Sequence, residues 1–228
     1  MKFIPILFNT DMVKAVQDGT KTQTRRIVGM PNEFQHTGYC YHKNSIDHIK
    51  VTVQENDGSE DGEETYQILE PKAQKGDVFW VRENWATDPI YDNEKPSELD
   101  EDFSIIYYKA DYDEGDFKGL KTRPSIFMPK WMCRLFLEVV DVRIERLQDI
   151  SKYDARREGI KKKRVNYDKV GLLINYYNYS SGIFGRLSAI DSFKSLWQKI
   201  NGKESWKSNP CVWVYEFKVI DKPNGFEW

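Results

Sequence analysis

The stretch from Cys133 to Glu145 constrains the fold of this chain more than any other. Apolar and polar side chains alternate along it, with Leu135, Leu137 and Val139 apolar in its first half and Val140, Val142 and Ile144 in its second. A period of two predicts a β-strand with one buried face. The parity changes between Val139 and Val140, which predicts a bulge or a strand that leaves one sheet face for another. Small barrels need such corners.

Shorter strands and helices surround this long strand. Predicted strands cover residues 3–8 (FIPILF), 76–84 (GDVFWVREN), 104–111 (SIIYYKAD) and 209–219 (NPCVWVYEFKV), and predicted helices follow Asp11, follow Ser151 and cover Ile190 to Ile200. Residues 29–70 and 161–187 lack this patterning and are interpreted as insertions. Because regular βαβ alternation is missing, the order predicts an α+β fold. Its form would be one domain over residues 1–228, a small β-barrel with flanking short helices.

Charge and cysteine content narrow the class of protein. The formal net charge of −2 and the pI near 6.0 exclude a uniformly basic nucleic-acid coat, but they allow a local basic site. An odd number of cysteines, three, without a CxxC pair is typical of a reducing compartment, so a cytoplasmic location is expected. No stretch approaches the ~18 apolar residues of a membrane span, and no membrane partner is predicted.

The nine residues GTKTQTRRI, 19 to 27, are the densest group of chemically useful side chains. Gly19 is expected to end the first helix, and Thr22 and Thr24 favour extended backbone after it. A short helix, SKYDARRE, is predicted after Ser151, which with Asp154 resembles a capping box. Glu158 then lies at the negative end of that helix, where a carboxylate is disfavoured by ~0.3–1 kcal/mol, so it either has a cationic partner or serves a purpose beyond stability.

Five blocks in order along the chain carry a family resemblance, and they cover about half of it: ILFNTDMVKAVQDGTKTQTRRI, GDVFWVRENW, RPSIFMPKWMCRLFLEVVDVRIERLQDIS, DARREGI and LWQKINGKESWKSNPCVWVYEF. The sequence resembles the ASCH family of the PUA-like superfamily, in its long phage and prophage version. The resemblance implies a PUA-like β-barrel whose cleft is lined by the first block and by the helix after the long strand. Both insertions lie outside the shared blocks.

The same resemblance implies an activity. Short bacterial members hydrolyse N4-acetylcytidine with a lysine and a threonine of the first block and a glutamate of the later helix. Matched by position, these catalytic residues are Lys21, Thr24 and Glu158. The chain differs from the short enzymes in its size and in the doubled arginine Arg25–Arg26.

The chemistry of these three side chains leaves two roles open for Lys21. Burial or neighbouring cations would lower its pKa and make it a base, whereas a salt bridge to Glu158 would keep it charged and suit oxyanion stabilisation. Thr24 or a water it holds would attack the carbonyl carbon. In a regular strand, positions 21 and 24 point to opposite faces, so a joint site needs a turn or bulge between them.

Six further residues are candidate contacts for a substrate or for nucleic acid: Thr22, Arg25, Arg26, Arg82, Glu83 and Trp85. The main alternative is a module that binds RNA or single-stranded nucleic acid without amidase activity. Lys161–Arg164, followed by several tyrosines, combines phosphate-neutralising and base-stacking groups. A ribonuclease and a phage-associated assembly module are further alternatives.

No cofactor or metal is predicted. The one group of side chains that invites a zinc site is His36, Cys40, His42 and His48. Its spacing does not follow a standard zinc pattern, and no second cysteine is nearby. An ordinary polar loop accounts for it.

Overall fold

The computed structural model describes residues 1–29, 41–45, 48–55, 65–100, 105–113, 115–167, 171–185 and 187–227. The strands of this described part are β1 (Phe3–Leu7), β2 (Gln23–Ile27), β3 (Tyr41–Ser45), β4 (His48–Glu55), β5 (Thr65–Leu69), β6 (Val78–Arg82), β7 (Trp85–Thr87), β8 (Ile106–Tyr108), β9 (Phe136–Arg146), β10 (Lys162–Tyr167), β11 (Gly171–Asn178), β12 (Ile183–Gly185) and β13 (Cys211–Ile220). The α-helices are α1 (Thr10–Gln17), α2 (Lys152–Arg157), α3 (Ala189–Asn201) and α4 (Glu204–Lys207).

The fold class is α+β, as predicted, with many strands and few short helices. Each predicted insertion forms its own three-stranded antiparallel sheet, with strand order β3-β4-β5 in the first and β10-β11-β12 in the second. In the described part of the chain, no sheet closes on itself into a barrel. Of the helices described, none is long and apolar enough to cross a membrane.

The chain divides into two compact units, each built from discontinuous segments. The first comprises Met1–Thr20, Lys75–Val140 and Phe217–Trp228, and the second comprises Lys21–Gln74 and Asp141–Glu216. Both β9 and β13 therefore contribute residues to both units.

In the first unit, β1 pairs in parallel with β6, and β6 pairs antiparallel with β9. Helix α1 begins at the N-cap Asn9, whose side chain accepts a hydrogen bond from Met12 N, and Asp11 lies in its first turn. Aromatic and sulfur-containing side chains dominate the core of this unit, which is formed by Val78, Trp80, Trp85, Leu99, Met128, Met132, Cys133, Phe136 and Phe226.

In the second unit, β2 pairs antiparallel with β13, with Thr24 opposite Tyr215. Ser151 caps α2 by accepting a hydrogen bond from Asp154 N, and its hydroxyl donates to Asp154 Oδ2 at 2.7 Å, so the predicted start of this helix is confirmed. Helix α3 contributes its apolar face to a core formed by Leu147, Ile150, Ala155, Ile160, Tyr176, Tyr179, Ala189, Phe193, Leu196, Trp197, Trp206, Val212 and Val214.

The parity change in β9 is confirmed. Leu137 and Val139 are buried in its first half, and Val142 and Ile144 are buried in its second. The division between the two units falls within this change, between Val140 and Asp141. A strand that contributes to two cores must direct a different set of side chains into each core. The change of parity in the apolar pattern follows from this requirement.

The cysteines differ from the expectation in one respect. Cys133 is a buried free thiol. Cys211, however, is disulfide-bonded. The expectation of reduced thiols therefore holds for Cys133 and not for Cys211.

Candidate active site

Local backbone pairing brings Lys21 and Glu158 side by side although 137 positions separate them. The two residues form an antiparallel β-bridge just before β2 begins. Thr22 N donates to the carbonyl oxygen of Arg157 at 2.9 Å and extends this pairing by one bond. The backbone pairing therefore places these two residues side by side independently of the contact between their side chains.

Glu158 is the C-cap residue of α2, and Gly159 follows it with a φ of 80°. A left-handed residue ends a helix at this position without the steric penalty of a Cβ. The Glu158 carboxylate thus lies at the negative end of the helix, as the sequence indicated, and only 5% of the residue is exposed. Two cations, Lys21 and Arg25, offset that unfavourable location.

The Lys21 ammonium is enclosed and fully hydrogen-bonded. Its Nζ donates to Glu158 Oε2 at 2.9 Å, to the Glu158 carbonyl oxygen at 3.1 Å and to the Gln23 carbonyl oxygen at 2.8 Å. Three acceptors match the three donors of an ammonium group. Burial lowers the pKa of Lys21, and the charge and hydrogen bond of Glu158 oppose that shift. Lys21 is thus held as a cation that gives up a proton more readily than an ordinary lysine does.

Arg25 connects Glu158 to a second carboxylate. Its Nη1 donates to Glu158 Oε1 at 2.7 Å, and its Nε donates to Glu145 Oε1 at 3.0 Å. The guanidinium is buried and lies 5.7 Å from the centroid of the Phe193 ring. Arg25 was predicted to contact a ligand, but in this structure its donors are directed at Glu145 and Glu158.

Thr24 and Arg26 form a separate pair. Arg26 Nη1 donates to Thr24 Oγ1 at 2.6 Å, and Thr24 is 1% exposed. Alternation along β2 places these two side chains on the opposite face from Arg25. Burial lowers the pKa of Arg26 and the Glu158 carboxylate opposes the shift, so this pair is within electrostatic reach of Glu158.

Further ion pairs extend the cluster across β9, β13 and α2. Arg143 Nη1 donates to Glu216 Oε1 at 2.6 Å, and its Nε lies 3.3 Å from Glu145 Oε2. Arg157 binds Glu216 through two nitrogens and also donates to Thr22 Oγ1 at 3.0 Å. Thr22 is therefore placed as a partner of Arg157.

Sequence reasoning did not identify Glu145, Arg143 or Glu216 as part of this cluster. A signal was available for the first two, because Arg143 and Glu145 occupy alternate positions and must share one face of β9. Glu216 breaks the apolar run of β13 in the same way. Partner choice still required the tertiary structure.

The remaining predicted contacts belong to the first unit. Arg82 Nε donates to the Met128 carbonyl oxygen at 3.0 Å. Trp85 is fully buried, with the Arg123 guanidinium 5.1 Å from its ring centroid. Glu83 is fully buried and accepts hydrogen bonds from Arg134 at 2.9 and 3.0 Å. Structural partners within the unit account for the placement of all three predicted residues.

A pH-dependent contribution to stability follows from Glu83. Burial raises the pKa of this carboxyl above its ordinary value of 4.5, against the influence of Arg134. The folded chain therefore binds a proton that the unfolded chain releases, and the contribution of Glu83 to stability is lost as pH rises through the folded pKa. In urea titrations from about pH 4.5 upward, we expect this loss in the wild type and not in Glu83→Gln, where Asp111 still pairs with Arg134. Parallel pH profiles would contradict the assignment.

Three tyrosines of the second insertion whose side chains are described, Tyr176, Tyr177 and Tyr179, pack within the unit and do not form an open stacking surface. Tyr176 is buried and its hydroxyl accepts from Arg156 Nε at 2.9 Å. Tyr179 is buried and its hydroxyl accepts from Lys161 N at 2.9 Å. Tyr177 packs edge-on against Tyr179, with ring centroids 5.0 Å apart. These rings serve the core.

Among the described residues, no group of three His, Cys, Asp or Glu side chains is arranged to hold a metal ion. His36 and Cys40 lie outside the described residues, as do the side chains of His42 and His48.

No family model, curated protein or solved structure matches the chain.

Proposed function

We propose that the chain is an ASCH-type amidohydrolase that removes the acyl group from an N-acylated pyrimidine nucleoside such as N4-acetylcytidine. The proposal includes a PUA-like arrangement of the sheets and a cytoplasmic location. The first rests on the family resemblance, and the second rests on the cysteine pattern of the sequence, against which the disulfide at Cys211 counts. The observation that carries it is the buried contact of 2.9 Å between Lys21 Nζ and Glu158 Oε2. These are the two residues that the family resemblance pairs, and the contact unites a proton donor and a proton acceptor.

The geometry favours proton transfer over oxyanion stabilisation as the role of Lys21. All three Nζ donors are directed at protein acceptors, so none is available to a substrate oxyanion without losing a partner. Burial also favours the neutral amine. Transfer of one proton from Lys21 to Glu158 creates an amine that can accept a proton and a carboxylic acid that can donate one.

The Lys21–Glu158 pair accepts one proton and donates one proton during hydrolysis, so it ends in its starting state. Water forms a bond to the acyl carbon and gives a proton to the Lys21 amine. As the carbon–nitrogen bond breaks, the leaving amine of the base takes the proton of Glu158. The acid product separates, and the pair returns to ammonium and carboxylate. This sequence uses general acid–base catalysis without a metal or cofactor.

Water is the proposed nucleophile, and the family resemblance, rather than a contact with Lys21 or Glu158, assigns its orientation to Thr24. Because the Thr24 oxygen accepts a charged hydrogen bond from Arg26 at 2.6 Å, electron density is drawn from that oxygen. The hydroxyl thereby becomes a weaker nucleophile and a stronger donor. It therefore suits holding a water molecule better than attacking carbon itself.

The direct test is incubation of the purified chain with N4-acetylcytidine, with cytidine and acetate measured over time. Release of both supports the proposal, and a folded protein that gives no turnover on N4-acetylated cytidine substrates overturns it. Because the alternative is a binding module, the same samples should be tested for binding to unmodified RNA. Binding without turnover would favour the module.

Thr24 provides a test of the nucleophile. We expect Thr24→Val to reduce kcat/KM by about 10²-fold, because it removes one hydrogen bond made to the attacking group. Thr24→Ser should retain most of the activity. Thr87→Val is the matched control, since Thr87 is an equally buried threonine in the other unit. An acyl ester trapped on Thr24 and detected by mass spectrometry would contradict the role assigned to water.

A further inference from the structure

The segment from Lys152 to Arg164 carries a concentration of positive charge, of which the cluster around Glu158 engages only Arg157 among the residues described. It contains seven Lys and Arg residues against two acids in a chain whose formal net charge is −2. Both acids are turned toward cations within the unit. Glu158 binds Lys21 and Arg25, and Asp154 lies 3.4 Å from Arg143. The outer surface of the segment is therefore strongly positive.

Several of these cations lie on the surface. Lys162, Lys163 and Arg164 are consecutive exposed residues of β10, which is an edge strand of its sheet. On α2, Lys152 and Arg156 are exposed as well. Three successive cations on an edge strand project to both sides of it, so they can follow an extended polyanion along its length.

An exposed aromatic ring accompanies the cations. Tyr153 of α2 is 66% exposed, and the Arg157 guanidinium lies 5.4 Å from its ring centroid. An exposed tyrosine beside cations is the combination that binds single strands, with stacking on bases and neutralisation of phosphates. Tyr176 and Tyr179 of the second insertion cannot act in this way because the core encloses them.

We infer that α2 and β10 form a binding surface for single-stranded nucleic acid, in which Lys152, Lys162, Lys163 and Arg164 bind phosphates and Tyr153 stacks on a base. Lys162 follows Glu158 by four positions, so their Cα atoms lie within about 14 Å of each other. A strand held on β10 is thus close to the candidate active site. The inference goes beyond the proposed hydrolysis and stands without it.

The composition of the surface favours a nucleic acid over an anionic membrane. Helix α2 has six residues, and Ala155 is its only buried one, so it lacks the apolar face with which interfacial helices enter a bilayer. A stacking ring and a row of cations require a ligand that carries bases at intervals along a charged backbone. Single-stranded RNA and DNA both meet that requirement.

Fluorescence anisotropy with unmodified oligouridylate and oligothymidylate of about ten nucleotides tests the inference at several salt concentrations. The triple variant Lys162→Gln, Lys163→Gln, Arg164→Gln should bind at least about tenfold more weakly, and the slope of log K against log salt should fall by about 2. The control replaces three exposed lysines of the same unit, Lys199, Lys203 and Lys207, by Gln and should leave both quantities unchanged. Circular dichroism checks that each variant is folded.

Substitutions of Tyr153 distinguish the contribution of base stacking from that of phosphate neutralisation. Tyr153→Ala should weaken binding about tenfold with an unchanged salt slope, whereas Tyr153→Phe should bind like the wild type. Equal binding by both triple variants would overturn the inference, as would binding to phosphatidylserine vesicles without binding to either oligonucleotide. Since the strands carry no acyl group, failure of the proposed hydrolysis would leave these measurements unaffected, and failure here would leave turnover of the free nucleoside unaffected.

Discussion

Replacing Lys21 by methionine is expected to reduce kcat for N4-acetylcytidine hydrolysis by about 10²–10⁴-fold, the usual contribution of a positioned acid or base. Methionine is close to lysine in length and leaves Glu158 paired with Arg25 at 2.7 Å. The substitution therefore removes the proton carrier while retaining most of the local packing. Steady-state kinetics of the folded variant measure the effect.

Lys207→Met is the matched control, because Lys207 is an exposed lysine that also pairs with a glutamate, Glu204. It should keep wild-type kinetics. Near-wild-type kcat in Lys21→Met would remove Lys21 from the mechanism.

The pH dependence of the activity tests the same role of Lys21 in proton transfer. The mechanism needs the one proton that Lys21 and Glu158 share, and burial lowers the pKa of Lys21 from 10.5. Activity should therefore fall as pH rises through that lowered value, and Lys21→Met should lack this fall. Stability gives an independent readout. Between the lowered pKa and 10.5 the unfolded chain binds more protons than the folded chain, so the free energy of unfolding should increase with pH across that interval. The increase should be missing in Lys21→Met.

Replacing Glu158 by glutamine is expected to destabilise the fold by about 3–5 kcal/mol, because two buried cations lose their shared carboxylate. Lys21 and Arg25 are 1% and 3% exposed, so water cannot replace the lost charge. Urea unfolding followed by circular dichroism measures the change. Glu204→Gln removes one exposed carboxylate from the same unit and should cost about 1 kcal/mol or less.

A double-mutant cycle separates the ion pair from general damage to the fold. When Lys21→Met is added to Glu158→Gln, one of the two orphaned cations disappears. The double variant should therefore be more stable than the sum of the single effects predicts, by about 0.5–3 kcal/mol. Strict additivity would indicate that Lys21 and Glu158 contribute to stability independently.

Local features of the structure follow from the sequence wherever one face of an element is buried. The parity change between Val139 and Val140 predicted a bulge or a strand that leaves one sheet face for another, and the two halves of β9 do bury alternate side chains of opposite parity. The Ser151 capping box fixed the start of α2. The end of that helix at Gly159 placed Glu158 where a carboxylate is unfavourable.

The strands of the second insertion escaped prediction for a physical reason. The residues of β10 before Val165 are all exposed, so both of its faces are solvated and no alternation of polarity arises. Its pairing with β11 depends on backbone hydrogen bonds that any sequence can make. Residues 161–187 consequently resembled an irregular charged loop.

Local sequence determined which side chains of β9 alternate, where α2 begins and ends, and that the carboxylate of Glu158 lies at an unfavourable helix end. These properties depend on neighbours within a few positions, which the chain carries with it wherever it folds. Only the tertiary structure decided that Lys21 and Arg25 pair with this carboxylate, and that Glu145, Arg143 and Glu216 complete the cluster. Pairing between residues more than a hundred positions apart depends on burial and strand register. Neither property can be deduced from the composition of a short stretch of sequence.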